Sequence, residues 1–551
     1  MSTIREGLIH ATINKAITLI DYNNYDSVHK QFEFVKQTIL ADNSLTNDEK
    51  IEAISSFNKD CDREKIVRNE GTRRICETCN QKCLAISYCE YCVQNYLKTK
   101  FSSWSSGNNN IDNLIQKCQI ESLMPDMIVE WIPYNNLQNI EYLTKGGFSE
   151  IYTATWINGG YEEWDSENQQ LQRFGTHYVI LKELGNIENA SQNWFEEAKS
   201  HLTISSKHPS IVQCFGLTQN PSNENYMLVM RKKNANLREY LQQNHNQLIW
   251  EERIKIAFII INALYYIHKE NSIHRDLHSG NILLYSKFNN YWFISDLGFC
   301  GPAEKPSTSI YGNLPYIAPE IINGKEYTFK SDIYSIGILL WEISSGQPPF
   351  NNHKHDYDLA LNIINGIRPN IISEIPLKYK NLMIQCWNAN SLERPDTNML
   401  LREIREIMLY YQNNPNELPQ LNVNIDKKIN YENTSNKLFT SKIHKFEDLP
   451  EPKNATREEQ EAFYSKLYDF NLPKNIDDFG QSSNQNSKRI NNIIKASSER
   501  LSKVFKNLQI NSKSVDIQNN YYRDTIYQPQ TGDIDDDDEC NNPNLHSEEQ
   551  E

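Results

Sequence analysis

Eight residues, His274-Arg275-Asp276-Leu277-His278-Ser279-Gly280-Asn281, constrain this chain more than any other stretch. Asp276 and Asn281 place a carboxylate and an amide oxygen on one short segment, and Asp296 in Asp296-Leu297-Gly298 follows fifteen residues after Asn281. Oxygen donors of this kind suit a hard divalent cation and the phosphates it accompanies. Their order and spacing point to metal and phosphate chemistry.

At 551 residues the chain has room for three or four units at roughly 150 residues each. A formal net charge of −15 argues against a nucleic-acid-binding role, which shows as a basic domain. The eleven cysteines are not spaced as a secreted disulfide framework, since five fall between Cys76 and Cys92. Met1-Ser2-Thr3-Ile4-Arg5-Glu6 lacks the apolar stretch of a secretory signal. No apolar run reaches the roughly 20 residues of a membrane helix, and Ala257–Ile267 and Ile333–Ile343 read as buried helices. The expected compartment is the cytosol or the nucleus.

Residues 1–70 read as helical. Thr46-Asn47-Asp48-Glu49 fits a capping box, with Ile51, Ile54 and Phe57 following at helical spacing. Residues 71–100 hold the cysteine cluster, and 101–137, with Trp104, Trp131 and Pro133, read as a joining segment. Strands are expected at Ile151–Trp156, Tyr178–Lys182, Ile211–Leu217 and Tyr226–Met230, with a helix near Gln192–Ile204. Beyond Leu237 helices dominate, Trp250–His268 and Ser331–Ser344 being the clearest. Strands first and helices second make an α+β arrangement of two parts with a cleft between them. After Gln412 apolar periodicity fades, and 412–551 is expected to be a largely disordered tail. It ends in the acidic run Asp535-Asp536-Asp537-Asp538-Glu539. Two islands interrupt it: a helix over Thr456–Tyr468, and a basic amphipathic stripe running from Ile490 to Leu508.

The stretch from His274 to Asn281, followed by Asp296-Leu297-Gly298, resembles the catalytic and metal-binding loops of a protein kinase. Val179-Ile180-Leu181-Lys182 resembles the strand that carries the phosphate-contacting lysine, and Glu197 lies fifteen residues on in the next helix, with Glu196 as the other choice. Thr144-Lys145-Gly146-Gly147-Phe148-Ser149-Glu150-Ile151 resembles the glycine-rich loop imperfectly, because Thr144 and Ser149 replace two of its three glycines. Ala318-Pro319-Glu320, Asp332 and Arg394 match further landmarks, so the resemblance covers 138–411. It implies a bilobal fold, with a small β-rich N-lobe and a mainly helical C-lobe. It also implies the use of ATP and Mg2+ on protein substrates. Asp276 would accept or orient the substrate hydroxyl proton, Lys182 held by Glu197 would contact the phosphates, and Asn281 and Asp296 would bind magnesium. ATP would lie against Thr144, Lys145, Gly146, Gly147, Phe148, Ser149, Ile151, Ile180 and the gatekeeper Met230. Asp332 would brace the catalytic loop, and Arg394 would pair with Glu320. The helix phrase around Asp332 and Trp341 is similar to the tyrosine-kinase-like group, whose fungal members often carry a Cys-rich segment ahead of the kinase.

On that group resemblance the expected acceptors are Ser and Thr rather than Tyr. His278 stands where serine/threonine kinases carry a phosphate-contacting Lys, and Asn313 follows Gly312 where they carry Thr. These departures and the incomplete glycine loop leave a pseudokinase scaffold as the alternative. Arg275 could order an activation segment phosphorylated at Ser307, Thr308, Ser309 or Tyr311. Arg231-Lys232-Lys233 after Met230 is an unusual run of cations for a cleft wall.

Cys76-x2-Cys79 and Cys89-x2-Cys92 supply four thiols in two knuckles, the ligand number of tetrahedral zinc. The alternative is a set of reduced core cysteines. Cys83 is left over. The expected role is a structural or partner-binding knuckle in the N-terminal region.

Overall fold

The computed structural model describes residues 4–20, 24, 28–145, 149–184, 194–285, 291–302, 310–372, 374–419 and 440–469. The stripe of 490–508, the acidic run, Gly146–Phe148 and Ser307–Ser309 lie outside them.

Three helices open the chain: α1 (Glu6–Thr18), α2 (Val28–Ala41) and α3 (Asn47–Arg68). Thr46 caps α3 with the expected reciprocal bonds to Glu49, which also takes a bidentate grip from Arg5. The face of α3 that is buried carries Ala53, Phe57 and Ile66, while Ile51 is 69% exposed. Ile51 thus falls on the solvent side of a helix whose inward stripe begins two residues later.

A short hairpin, β1 (Arg74–Ile75) with β2 (Lys82–Cys83), leads into α4 (Glu90–Lys100) and α5 (Asn109–Glu121). The segment 101–137, expected to be a connector, is structured. It holds α5 and β3 (Glu130–Trp131), and β3 joins the main sheet as an edge strand parallel to its neighbour. A two-residue strand leaves no periodicity to read, whereas α5 carries one in Ile111, Leu114, Ile115 and Cys118 that the reading as a joining segment passed over.

The main sheet also contains β4 (Leu137–Lys145) and β5 (Glu150–Trp156). A separate hairpin follows, β6 (Tyr161–Asp165) with β7 (Gln170–Arg173), before the chain returns to the sheet in β8 (His177–Leu184). Helix α6 (Trp194–Ser205) precedes β9 (Cys214–Gln219) and β10 (Tyr226–Arg231). The six strands run in the order β3-β9-β10-β8-β5-β4. One apolar cluster joins this sheet to α5 and α6 through Ile111, Ile115, Ala198, Leu202 and Leu228.

The helical part follows: β11 (Ala235–Asn236), α7 (Leu237–Asn244), α8 (Trp250–Lys269), β12 (Ser272–Ile273), β13 (Ile282–Tyr285), β14 (Tyr291–Ile294), β15 (Gly301–Pro302) and β16 (Ile310–Gly312). Then come α9 (Pro319–Ile322), α10 (Phe329–Ser345), α11 (Tyr357–Ile364), α12 (Leu377–Cys386) and α13 (Thr397–Asn413). Helix α10 is buried from Ser331 to Ser345, and its acids Asp332 and Glu342 are matched by internal hydrogen bonds. Arg394 is fully buried and grips Glu320 with two bonds of 2.7 Å, as the motifs suggested.

Within 412–551 the helix expected over Thr456–Tyr468 is present, and the order also extends back to residue 440, where a largely disordered tail was expected. Residues 440–469 form β17 (Lys442–His444), antiparallel to β16, and α14 (Arg457–Asp469), and both lie on the helical part. Composition misled here because the segment is stabilised by contacts with distant residues and not by a core of its own.

Candidate active site

A cavity of about 530 Å³ lies between the sheet and the helical part. From the sheet side come Thr144, Ser149, Ile151, Ile180, Lys182 and Met230. Strand alternation puts Ile180 and Lys182 on this face and sends Leu181 into the core. Lys145 is not among the described residues that line the cavity, and its ammonium lies 3.6 Å from Glu150.

Lys182 is the electrostatic centre. Its Nζ lies 2.8 Å from Glu197 and 2.5 Å from Asp296. Burial pushes the ammonium pKa down, but the carboxylates of Asp296 and Glu197 outweigh this and hold it above its ordinary value. Burial pushes Asp296 up, and Lys182 more than reverses it, so that carboxyl stays well below the usual range. Of the two candidate acids on α6, Glu197 faces Lys182, and Glu196 lies 3.8 Å from Lys199 on the outer side. Asp296 adopts a left-handed φ of 58°, a conformation Asp tolerates better than most residues. A Cβ at Gly298 would sit 3.1 Å from both Asp296 Oδ1 and Glu197 Oε1, so a side chain there would crowd the two carboxylates that hold Lys182.

The loop carrying Asp276 is held from below by Asp332. This buried carboxylate accepts from the backbone N–H of His274 at 2.8 Å, from that of Arg275 at 3.0 Å and from His268 Nε2 at 2.8 Å. Three bonds to one acid fix a loop in which Arg275 takes a φ of 68°. Asn281 Nδ2 donates to the Asp276 carbonyl at 2.9 Å, so its amide oxygen is turned away from that group. Asn281 and Asp296 line the same cavity, and an amide oxygen and a carboxylate are hard donors that fit magnesium. The N–H of Gly280 donates to His278 Nδ1 at 3.0 Å. The proton of the neutral imidazole is then on Nε2, which faces Asp276 Oδ1 at 3.7 Å.

Several lining residues escaped the sequence reading. Leu143, Val212 and Leu283 give the cavity apolar walls, and Phe299 stacks on Tyr311 with ring centroids 3.5 Å apart. Leu283 could have been found from its position two residues past Asn281 on an alternating strand; Val212 carries no such signal. Tyr311 is buried at 5% exposure, so it does not present its hydroxyl as a modification site in this conformation. The cation run has a simple geometry. Arg231 lies over Phe215, Lys232 over Tyr178 and Lys233 over Phe293, each within 6 Å of the ring centre, the range of a cation–π contact.

A second cluster lies in the N-terminal region. The sulfurs of Cys76, Cys79, Cys89 and Cys92 are all within 4.8 Å of one another. Cys76 and Cys92 are 3.7 Å apart, and Cys79 and Cys89 3.6 Å. Tetrahedral zinc with Zn–S bonds of about 2.3 Å needs sulfurs roughly 3.8 Å apart. One pair hangs on the tight turn between β1 and β2, and the other opens α4, where burial pushes the Cys89 and Cys92 thiols up. Burial pushes the Cys76 thiol up, but backbone N–H groups of Cys79 and Thr78 outweigh this and bring it to about 6. Cys83 stands aside, its Sγ donating to the Arg74 carbonyl.

Residues 137–404 match the family described as protein tyrosine and serine/threonine kinase. The dual specificity protein kinase zakA of Dictyostelium discoideum is 31% identical over 235 residues, which are 39% of this chain and 30% of that protein. Two probable serine/threonine-protein kinases of the same organism, roco5 and pats1, are 29% and 28% identical over 52% and 50% of this chain. The chain spans only 10% and 9% of their lengths. With the ion pair of Lys182 in the cavity and the braced loop of Asp276 and Asn281 beside it, the match makes residues 137–404 a protein kinase domain.

Proposed function

We propose that the protein transfers the γ-phosphoryl group of ATP to serine or threonine hydroxyls of protein substrates. The observation that carries this reading is the convergence of Lys182, Glu197, Asn281 and Asp296 on one cavity, with Asp276 held beside Asn281 on the same loop, so that four separate segments supply the five groups. In this reading the triphosphate lies along Lys182, with its base among Ile151, Ile180, Met230 and Leu283. Asn281 and Asp296 hold magnesium, which neutralises phosphate charge when bound. Asp276 orients the acceptor hydroxyl and takes its proton. Most of the rate gain comes from positioning and electrostatics. The choice of serine or threonine over tyrosine draws support from the names of the Dictyostelium relatives. It also draws support from the peptide strand beside β16, whose short side chain already reaches Asp276.

The test is phosphate incorporation from ATP into a degenerate peptide library. Asp296→Asn and Asp276→Asn should each lower turnover by roughly a hundredfold or more, the usual order for losing a charge-stabilising or proton-accepting group. Equal incorporation by all three proteins would remove the catalytic reading and leave the scaffold alternative. We further infer that the four cysteines hold a structural zinc, which the sulfur spacing supports.

A further inference from the structure

The segment 440–469 reaches the candidate catalytic acid. Ser441 Oγ donates to Asp276 Oδ1 at 2.8 Å and lies 3.1 Å from His278 Nε2. Because Gly280 N–H occupies Nδ1, the Nε2 proton of His278 points at the serine oxygen. The hydroxyl is therefore held from both sides, its proton on the acid and a lone pair on the imidazole. We propose that Ser441 is an intramolecular phosphoacceptor of this kinase domain, and that the segment presenting it fills the groove an external protein substrate would use. The proposal rests on the catalytic reading above.

The rest of the segment is docked as a substrate would have to be. Strand β17 pairs antiparallel with β16 in the register Ile310↔His444, Tyr311↔Ile443 and Gly312↔Lys442, which sets Ser441 one residue beyond the ladder, beside Asp276. His444 Nε2 donates to the Gly312 carbonyl at 3.0 Å, and Lys442 Nζ donates to the His355 carbonyl at 3.2 Å. Adding a strand to an exposed edge is a common mode of peptide recognition. Further along, Asn454 Oδ1 accepts from Ala389 N–H at 2.8 Å, and Lys453 N–H donates to Ile364 O at 3.0 Å. The turn at Gly366 leaves no room for a side chain: a Cβ there would lie 2.0 Å from Ala455 N. Helix α14 completes the anchor, with Tyr464 Oη donating to Arg368 O at 2.9 Å and Phe463 stacked on His353. An inert blocking segment would need no hydroxyl at the point nearest Asp276; this one has it, oriented.

In the step itself, Ser441 Oγ bonds to the γ-phosphorus of ATP. The bond from that phosphorus to the oxygen bridging the β-phosphate breaks, and ADP leaves with the electron pair. The hydroxyl proton passes to Asp276. The product carries about two negative charges beside the Asp276 carboxylate, so repulsion favours release of β17 and opens the groove.

The full chain, freed of phosphate, is incubated with ATP and Mg2+ over a hundredfold range of protein concentration. Ser441 phosphate is followed by peptide mass spectrometry, and a degenerate Ser/Thr peptide library is included as external substrate. The expected result is Ser441 phosphate approaching one per chain with a rate constant independent of concentration. A Gln460→Ala, Phe463→Ala double variant, altered far from the reacting atoms, should slow Ser441 modification by on the order of tenfold and speed library phosphorylation before Ser441 is filled. Library phosphorylation without Ser441 phosphate overturns this proposal and leaves the kinase reading intact. So does a Ser441 rate that rises in proportion to concentration, or a double variant that changes neither rate. No phosphate on either Ser441 or library, with wild type equal to Asp296→Asn, overturns the kinase reading itself.

Discussion

Single residues here act through what their neighbours already hold. His278 departs from the kinase pattern, yet its two ring nitrogens have distinct partners: one takes a backbone proton, and the other faces Asp276 and Ser441. Glu197 and Glu196 are adjacent in sequence and differ by ~100° around the helix, and that turn alone sorts them. His245 shows the same logic away from the site. Its Nδ1 lies 3.1 Å from Nη1 of Arg253, a permanent donor, so it must accept and the ring must be neutral. Burial, with the Arg253 charge adding to it, pushes its pKa down to about 4. The unfolded chain binds that proton near 6.5, so it holds more protons than the fold between pH 6.5 and 4. Stability should therefore fall as pH drops through this window. In His245→Asn the amide oxygen keeps an acceptor and does not titrate, so urea unfolding should give a flatter pH dependence from 6.5 to 4. An identical slope in both proteins would contradict this.

At the level of elements, the helix carrying Glu197 depends on a helix from outside the matched domain. Ile111, Leu114, Ile115 and Cys118 of α5 share one apolar cluster with Ala198 and Leu202 of α6. The position of Glu197 relative to Lys182 thus rests on a segment that reads in sequence as a connector. Ile115→Ala removes a fully buried side chain, a change that costs about 2–5 kcal/mol. It should lower phosphoryl transfer several-fold at unchanged folded fraction, read from kinase assays beside circular dichroism. Full activity in a folded variant would mean that α5 does not position α6. The strands and helices of the domain itself were legible in their β-branched runs and helical periodicity, with boundaries shifting by a few residues. The hairpin of β6 and β7 was not separable from its neighbours, because polar strands such as Gln170–Arg173 carry little alternation to read.

Across the molecule, the N-terminal helices, cysteine cluster and sheet are tied by a few charged contacts. Asp62 of α3 accepts from the backbone of Ile86 and Ser87 between the cysteine pairs, and Arg63 pairs with Asp126 at 2.7 Å. If zinc closes the four-sulfur cluster, its loss should be felt beyond 76–92. Metal analysis should find about one zinc per chain, Cys89→Ser should reduce this strongly, and chelation should lower the melting temperature. A chain that folds with far less than one zinc and melts unchanged on chelation would exclude the site. The sequence by itself determined the candidates: Lys182, Asp276, Asn281 and Asp296 stand in the order and spacing that resemble a protein kinase, Glu196 and Glu197 are both offered as the partner of Lys182, and the two Cys-x2-Cys pairs supply the ligand number of zinc. Tertiary structure alone decided which neighbour of a pair faces the cavity, that α5 braces α6, and that Ser441 meets Asp276 across 165 residues of chain. These are contacts between segments far apart in sequence, set by packing and hydrogen bonding that no local pattern encodes.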